Sequence, residues 1–247
     1  MTTFFNDQLD AIRRSLKSKN QALIIAPPGT GKTTLLPPAL LGEEWTDGCQ
    51  IIVLEPRRIA ARASARFVAR KLKSNVGELV GYRVRRDAQI SKNTRIIYMT
   101  EGVFIRQIQK DPELSNVAAV IFDEFHERHL DTDLSLALAL EAQSVLRPDL
   151  RLIVMSATLD VLPVRKLMPD AAFHEAEASP FPIESIYIPP VKNQRVELQV
   201  AATALRALEE QQGSVLAFLP GQAEIRRCVD ALIGCVDDHA VDIRPLY

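Results

Sequence analysis

Apolar positions follow two different periods along this chain. Over residues 7–17 they recur three to four apart. Leu9, Ile12 and Leu16 form one stripe with Arg13, Arg14 and Lys17 opposite, which predicts a short amphipathic helix. Elsewhere they come as unbroken runs that form the bodies of segments 22–25, 50–55, 95–99, 117–122, 151–155 and 214–219, some with a polar residue at an end, and such runs bounded by turn residues predict strands buried on both faces. Helical periods lie between them, at 59–72, 103–109, 131–141, 195–211 and 223–232. A further helix opens at Lys32, and Pro37 and Pro38 are expected to bend or end it. Strands alternating with helices predict an α/β fold, a parallel sheet flanked by helices. Residues 77–86 read as an exposed strand or loop. Residues 170–190 carry Pro180, Pro182, Pro189 and Pro190 and read as a linker leading into a strand at 183–188. The expected division is therefore 1–178 and 179–247, the second part being an incomplete αβ layer with strands at 214–219 and 241–243.

Chemistry gathers where the runs stop. After the first comes Ala26-Pro27-Pro28-Gly29-Thr30-Gly31-Lys32-Thr33-Thr34, in the order strand, glycine-rich turn, helix. Glycines at 29 and 31 let successive N–H groups point at phosphate oxygens, and the helix that follows adds its own unpaired N–H groups. Lys32 would reach the β- and γ-phosphates and the Thr33 hydroxyl would ligate Mg²⁺. Ala26 stands where the usual phosphate loop has its first glycine. The run at 117–122 delivers Asp123-Glu124, followed by Phe125-His126: Asp123 would hold the Mg²⁺ shell, and Glu124 would orient and activate the attacking water. Pro56-Arg57-Arg58 ends the second run, where arginine forks suit phosphate oxygens. Thr100-Glu101-Gly102 ends the third and Ser156-Ala157-Thr158 the fifth. Tyr82 among Arg83, Arg85 and Arg86 offers an aromatic ring for nucleic-acid contact, and Arg62 or Arg66 could stack on a nucleotide base.

Charge supports a polyanionic partner. The net charge of −1 conceals 19 Lys/Arg against 9 Asp/Glu in residues 1–110 and 11 against 22 in the remainder. No apolar run reaches the ~18 residues of a membrane span. Three cysteines without a C-x-x-C pair read as free thiols of a reducing compartment, hence the cytoplasm.

Taken together, Ala26-Pro-Pro-Gly-Thr-Gly-Lys-Thr, Pro56-Arg-Arg, Thr100-Glu-Gly, Asp123-Glu-Phe-His, Ser156-Ala-Thr and Phe218-Leu-Pro-Gly resemble the superfamily 2 helicases of the DEAH/RHA group, most closely the bacterial HrpB type. The resemblance covers essentially the whole chain. It implies two RecA-like domains, with ATP and Mg²⁺ held between them and single-stranded RNA, or DNA, crossing both. It implies that residues 29–34 bind the triphosphate and that Asp123 and Glu124 serve metal and water. His126 would couple nucleotide to Ser156 and Thr158, while Pro56, Arg57, Arg58, Thr100, Glu101 and Gly102 form the nucleic-acid track. Phe125 departs from the alanine of the family name. The later motifs, including the one that supplies arginine fingers, are not in this sequence. An arginine finger is worth about 10³–10⁵ in turnover, so these 247 residues are expected to bind nucleotide, hydrolyse it feebly and unwind nothing. Two other readings stay open: a P-loop translocase that does not unwind, and a nucleotide-gated nucleic-acid-binding module.

Overall fold

The buried runs of the sequence pair with one another into one sheet. The computed structural model describes residues 5–158, 162–176, 183–236 and 241–246. In chain order the elements are α1 (Phe5–Ser18), β1 (Gln21–Ile25), α2 (Lys32–Leu40), β2 (Gln50–Leu54), α3 (Arg58–Lys71), β3 (Val80–Val84), β4 (Asp87–Gln89), β5 (Ile96–Met99), α4 (Glu101–Lys110), β6 (Val117–Phe122), α5 (Leu130–Val145), β7 (Arg151–Ser156), α6 (Leu162–Leu167), β8 (Ala172–Glu175), α7 (Val196–Glu210) and α8 (Gln222–Ile233). Eight strands form a sheet in the order β4-β3-β5-β2-β6-β7-β1-β8. Every pairing is parallel except the β3–β4 hairpin.

Successive side chains of a strand point to opposite faces, and the core divides accordingly. Ala22 and Ile24 of β1, Ile51 and Val53 of β2, and Ile121 of β6 meet Ile12 and Leu16 of α1, Leu36 and Leu40 of α2, and Ala61 and Ala65 of α3. Leu23, Ile25, Ile52, Leu54, Val120 and Phe122 meet α4, α5 and α6 on the other face. Because the central strands are parallel, their carboxyl ends share one edge. Residues 26–31, Glu55–Arg58, Thr100–Gly102, Asp123–Glu124 and Ala157–Thr158 therefore all follow strands at that edge, the one where open α/β sheets bind ligands.

Several expectations are corrected. Pro37 and Pro38 do not stop α2, which continues to Leu40. Pro37 has no N–H for the carbonyl of Thr33, but the Tyr98 hydroxyl donates to that carbonyl at 2.8 Å, so the helix survives the missing bond. Residues 80–84 are not exposed: β3 lies between β4 and β5, and Tyr82 is buried, its hydroxyl donating to Asp87. Part of the supposed linker is β8, which pairs with β1 at the sheet edge.

The chain forms two compact units, Met1–Phe181 and Pro182–Tyr247. The boundary expected near residue 178, with Pro180 and Pro182, lies outside the described residues. In the second unit α7 and α8 are tied by Arg227, whose Nε lies 2.6 Å from the buried carboxylate of Glu197. The strands expected at 183–188, 214–219 and 241–243 are absent among the described residues of this unit. A strand exists through its neighbours' hydrogen bonds, and with no paired partner the run at 214–219 leaves Leu216 and Phe218 exposed. No described helix is long and apolar enough to cross a membrane.

Candidate nucleotide and nucleic-acid site

The loop after β1 is held in a shape that only glycine takes readily. Gly29 has φ +78° and Gly31 φ +88°. A β-carbon on Gly31 would lie 2.9 Å from Leu35 Cδ1, whereas one on Gly29 would meet open space. Thr30 closes the turn through its hydroxyl and N–H, both directed at the Pro27 carbonyl. The N–H groups of Gly29, Gly31, Lys32 and Thr33 make no backbone hydrogen bond among the described residues. Four donors at the start of a helix, where the dipole is positive, form an anion cradle.

Opposite this cradle stands the tip of β6. Asp123 is buried, and Thr33 Oγ1 donates to its Oδ2 while the N–H of Glu124 donates to Oδ1 at 2.8 Å. Burial raises the Asp123 carboxyl above its ordinary range, against the opposing pull of the Thr33 hydroxyl and the Lys32 ammonium. Glu124 takes a left-handed φ of +49°, unusual for a residue with a side chain. That turn sends its carboxylate to Lys32, Oε1 lying 3.0 Å from Nζ. His126 Nδ1 lies 3.4 Å from Glu124 Oε2 and accepts from the Ala157 N–H at 3.3 Å. The imidazole thus stands between the acidic tip and the loop after β7. Ser156 Oγ braces that loop by donating to the Thr158 carbonyl and accepting the Thr158 N–H.

The arginines emerge on the same edge. Arg57 and Arg58 are exposed, and Arg57 Nη2 lies 2.8 Å from Glu127 Oε1, one residue beyond His126. Gly102 is exposed and Thr100 half-buried, but Glu101 turns inward and accepts from the Thr132 hydroxyl at 3.1 Å. Its side chain ties α4 to α5 and is not free to meet a ligand. Arg62 is engaged by Asp87 at 2.7 Å and lies over the Tyr82 ring, so neither Arg62 nor Tyr82 offers a free stacking surface. Arg66 is exposed.

Sequence patterning missed two buried groups behind the site. Glu55 follows β2, is 3% exposed, and its carboxyl accepts from the Ser64 hydroxyl at 3.3 Å. Burial, then the charge of Asp123, raises it to about 8. Tyr98 is wholly buried beneath the first turn of α2. A glutamate closing an apolar run was the only signal available for the first. For the second it was a tyrosine inside such a run, since a buried hydroxyl needs a partner.

Comparison with known proteins agrees with this architecture. Residues 5–167 match the DEAD/DEAH box helicase family. The chain is 44% identical over 239 residues to "ATP-dependent RNA helicase HrpB" of Escherichia coli, covering 97% of the chain and 29% of that protein. It is 34% identical over 241 residues to "ATP-dependent RNA helicase HrpA" of Borreliella burgdorferi, covering 96% of the chain and again 29% of the relative. The crystal structure of the Escherichia coli DEAH/RHA helicase HrpB superposes with a TM-score of 0.90 at 43% identity, over 96% of this chain and 30% of that one. The chain thus spans less than a third of the relatives it matches. The sheet with helices on both faces is a RecA-like fold, and the chain belongs to the DEAD/DEAH box helicase family.

Proposed function

We propose that these residues form the nucleotide-binding part of an ATP-driven motor acting on single-stranded RNA. The observation that carries this reading is the meeting, within hydrogen-bonding distance, of Lys32 with Glu124 and of Thr33 with Asp123, beside four N–H groups with no backbone acceptor among the described residues. In this reading the amides of residues 29–34, together with Lys32, bind the triphosphate. Thr33 and Asp123 present a hydroxyl and a carboxylate to each other, hard oxygen donors that suit Mg²⁺ and not a softer metal. They would hold that ion, with Glu124 at its rim; when bound it neutralises charge on the phosphates during transfer. Glu124 accepts the proton of the attacking water and Lys32 holds the γ-phosphate in place. His126 lies between Glu124 and the N–H of Ala157, which Ser156 and Thr158 flank in sequence, so a change at the phosphate reaches the loop after β7.

Pro56, Arg57, Arg58, Thr100, Glu101 through its backbone, and Gly102 form the nucleic-acid track. A grip on the sugar-phosphate backbone positions a strand without reading its sequence. Residues 179–247 are proposed as part of a second RecA-like domain, and the free thiols of Cys49, Cys228 and Cys235 fit the reducing cytoplasm. Hydrolysis and movement are proposed for a protein of the relatives' length, nucleotide binding for these 247 residues. Steady-state ATPase of the full-length protein with single-stranded RNA or DNA tests this. Stimulation by RNA supports it; equal stimulation by both, without unwinding, would make the protein a translocase instead.

A further inference from the structure

Thr33 is the second residue of α2, and its carbonyl is the one that Pro37, four residues on, has no N–H to meet. The substitute donor comes from far away in the chain. Tyr98 Oη donates to the Thr33 carbonyl at 2.8 Å across a sequence separation of 65. Tyr98 lies in β5, and three strands, β2, β6 and β7, stand between β5 and the β1 that leads into α2. The phenol is wholly buried, and burial raises its hydroxyl well above the ordinary value, so it remains a donor at any working pH. Two residues beyond Tyr98 is Thr100, the N-cap of α4 and the start of the Thr100–Gly102 segment assigned above to nucleic acid. The Glu55 N–H bonds the Met99 carbonyl at 2.9 Å and fixes the end of β5 to the strand that leads into Arg57 and Arg58. On the other side, the Thr33 hydroxyl bonds Asp123.

These contacts form one continuous line. It runs from the Thr100–Gly102 segment at the start of α4 back along β5 to the Tyr98 hydroxyl, then through the Thr33 backbone to the Thr33 side chain and Asp123. Any ordinary residue at position 37 would have satisfied the Thr33 carbonyl locally. The pairing of a proline there with a buried tyrosine transfers that bond to the strand that leads into the nucleic-acid segment.

We propose that Tyr98 is a positioning residue that links the nucleic-acid segment at the end of β5 to the first turn of the nucleotide-binding helix, so that nucleic acid bound at one changes where Lys32 and Thr33 stand at the other. The inference rests on the functional reading given above. Its test uses the full-length protein as wild type, Tyr98→Phe, and Tyr98→Phe combined with Pro37→Ala. In the double variant position 37 regains an N–H that can meet the Thr33 carbonyl, so the local bond returns while the tie to β5 does not. Melting temperature and ATPase with and without single-stranded RNA are measured for all three. Tyr98→Phe is expected to lose at least fivefold of the RNA stimulation factor. The double variant is expected to recover melting temperature but not stimulation. If it recovers both, or if Tyr98→Phe keeps wild-type stimulation, Tyr98 serves only to satisfy a carbonyl and the proposal is overturned. If Tyr98→Phe does not fold, the double variant alone decides. A wild type that RNA does not stimulate would overturn the functional reading itself, an outcome distinct from a defect confined to the variants.

Discussion

Replacing Glu124 by glutamine removes a charge with almost no change of shape, and the Lys32–Glu124 pair fixes what should follow. The ammonium and the carboxylate oxygen are 3.0 Å apart, with the lysine side chain 4% exposed and the glutamate 28%. Two unit charges at that distance attract by about 5 kcal/mol at an effective dielectric near 20. Dehydration of the buried ammonium offsets much of this, and a glutamine carbonyl can still accept one Nζ–H bond, which leaves a net loss of about 1–2 kcal/mol. A phosphate that engages Lys32 must first displace Glu124, so the wild type surrenders that same amount on binding nucleotide. Glu124→Gln should therefore unfold about 1–2 kcal/mol more easily in urea without nucleotide, yet bind nucleotide roughly 5- to 30-fold more tightly, since about 1.4 kcal/mol is a factor of ten. Equilibrium titration with a fluorescent, non-hydrolysable ATP analogue and Mg²⁺, set beside urea unfolding, reads both effects. A variant that is destabilised but binds no more tightly would refute the idea that Glu124 competes for Lys32.

Other expectations follow from the same geometry. Gly31→Ala should destabilise by about 1–2 kcal/mol in urea unfolding, and more than Gly29→Ala, because both positions have positive φ but only the first meets Leu35; equal losses would discount the Leu35 contact. Arg57→Ala should weaken single-stranded RNA binding uniformly across sequences and flatten the salt dependence of log K by about 0.7, as read by anisotropy in a salt series; a sequence-selective loss would remove Arg57 from the backbone track. Glu55 bears on stability against pH. Its folded-state pKa is raised from 4.5 to about 8, so the folded protein keeps a proton that the unfolded chain releases. Its favourable contribution is complete below about pH 4.5 and is lost as pH rises through about 8. Glu55→Gln should accordingly gain stability relative to wild type between pH 5 and pH 8 in thermal melts with chelator present, whereas parallel profiles would mean that the carboxyl is already ionised at pH 5.

The strands that hold the site were the easiest part to read, because β1, β2, β6 and β7 are buried on both faces and so appear as unbroken apolar runs with functional residues directly after them. β4 and β8 were missed: they sit at the sheet edges, and Asp87-Ala88-Gln89 has no pattern that distinguishes an edge strand from a loop. The run at 214–219 looked as convincing as β6, yet strand formation depends on a partner that the run itself does not encode. Within the site, the neighbourhood of Lys32, Thr33, Asp123 and Glu124 was legible from two strand tips on one edge. The inward turn of Glu101 was not, since a carboxylate ordinarily stays in water and only the facing Thr132 explains its burial. Nor was the distant donor that lets α2 run through Pro37, which depends on a tertiary contact.

We propose that the tips of β1 and β6 together bind a polyphosphate and its magnesium. The most direct test of this is nucleotide binding by these 247 residues, titrated with Mg²⁺ and with EDTA, for wild type, Lys32→Ala and Asp123→Asn. Binding should require Mg²⁺ in the wild type and fall at least tenfold in each variant, with melting temperatures showing all three folded. Undiminished binding in a folded variant, or binding indifferent to EDTA, would contradict it.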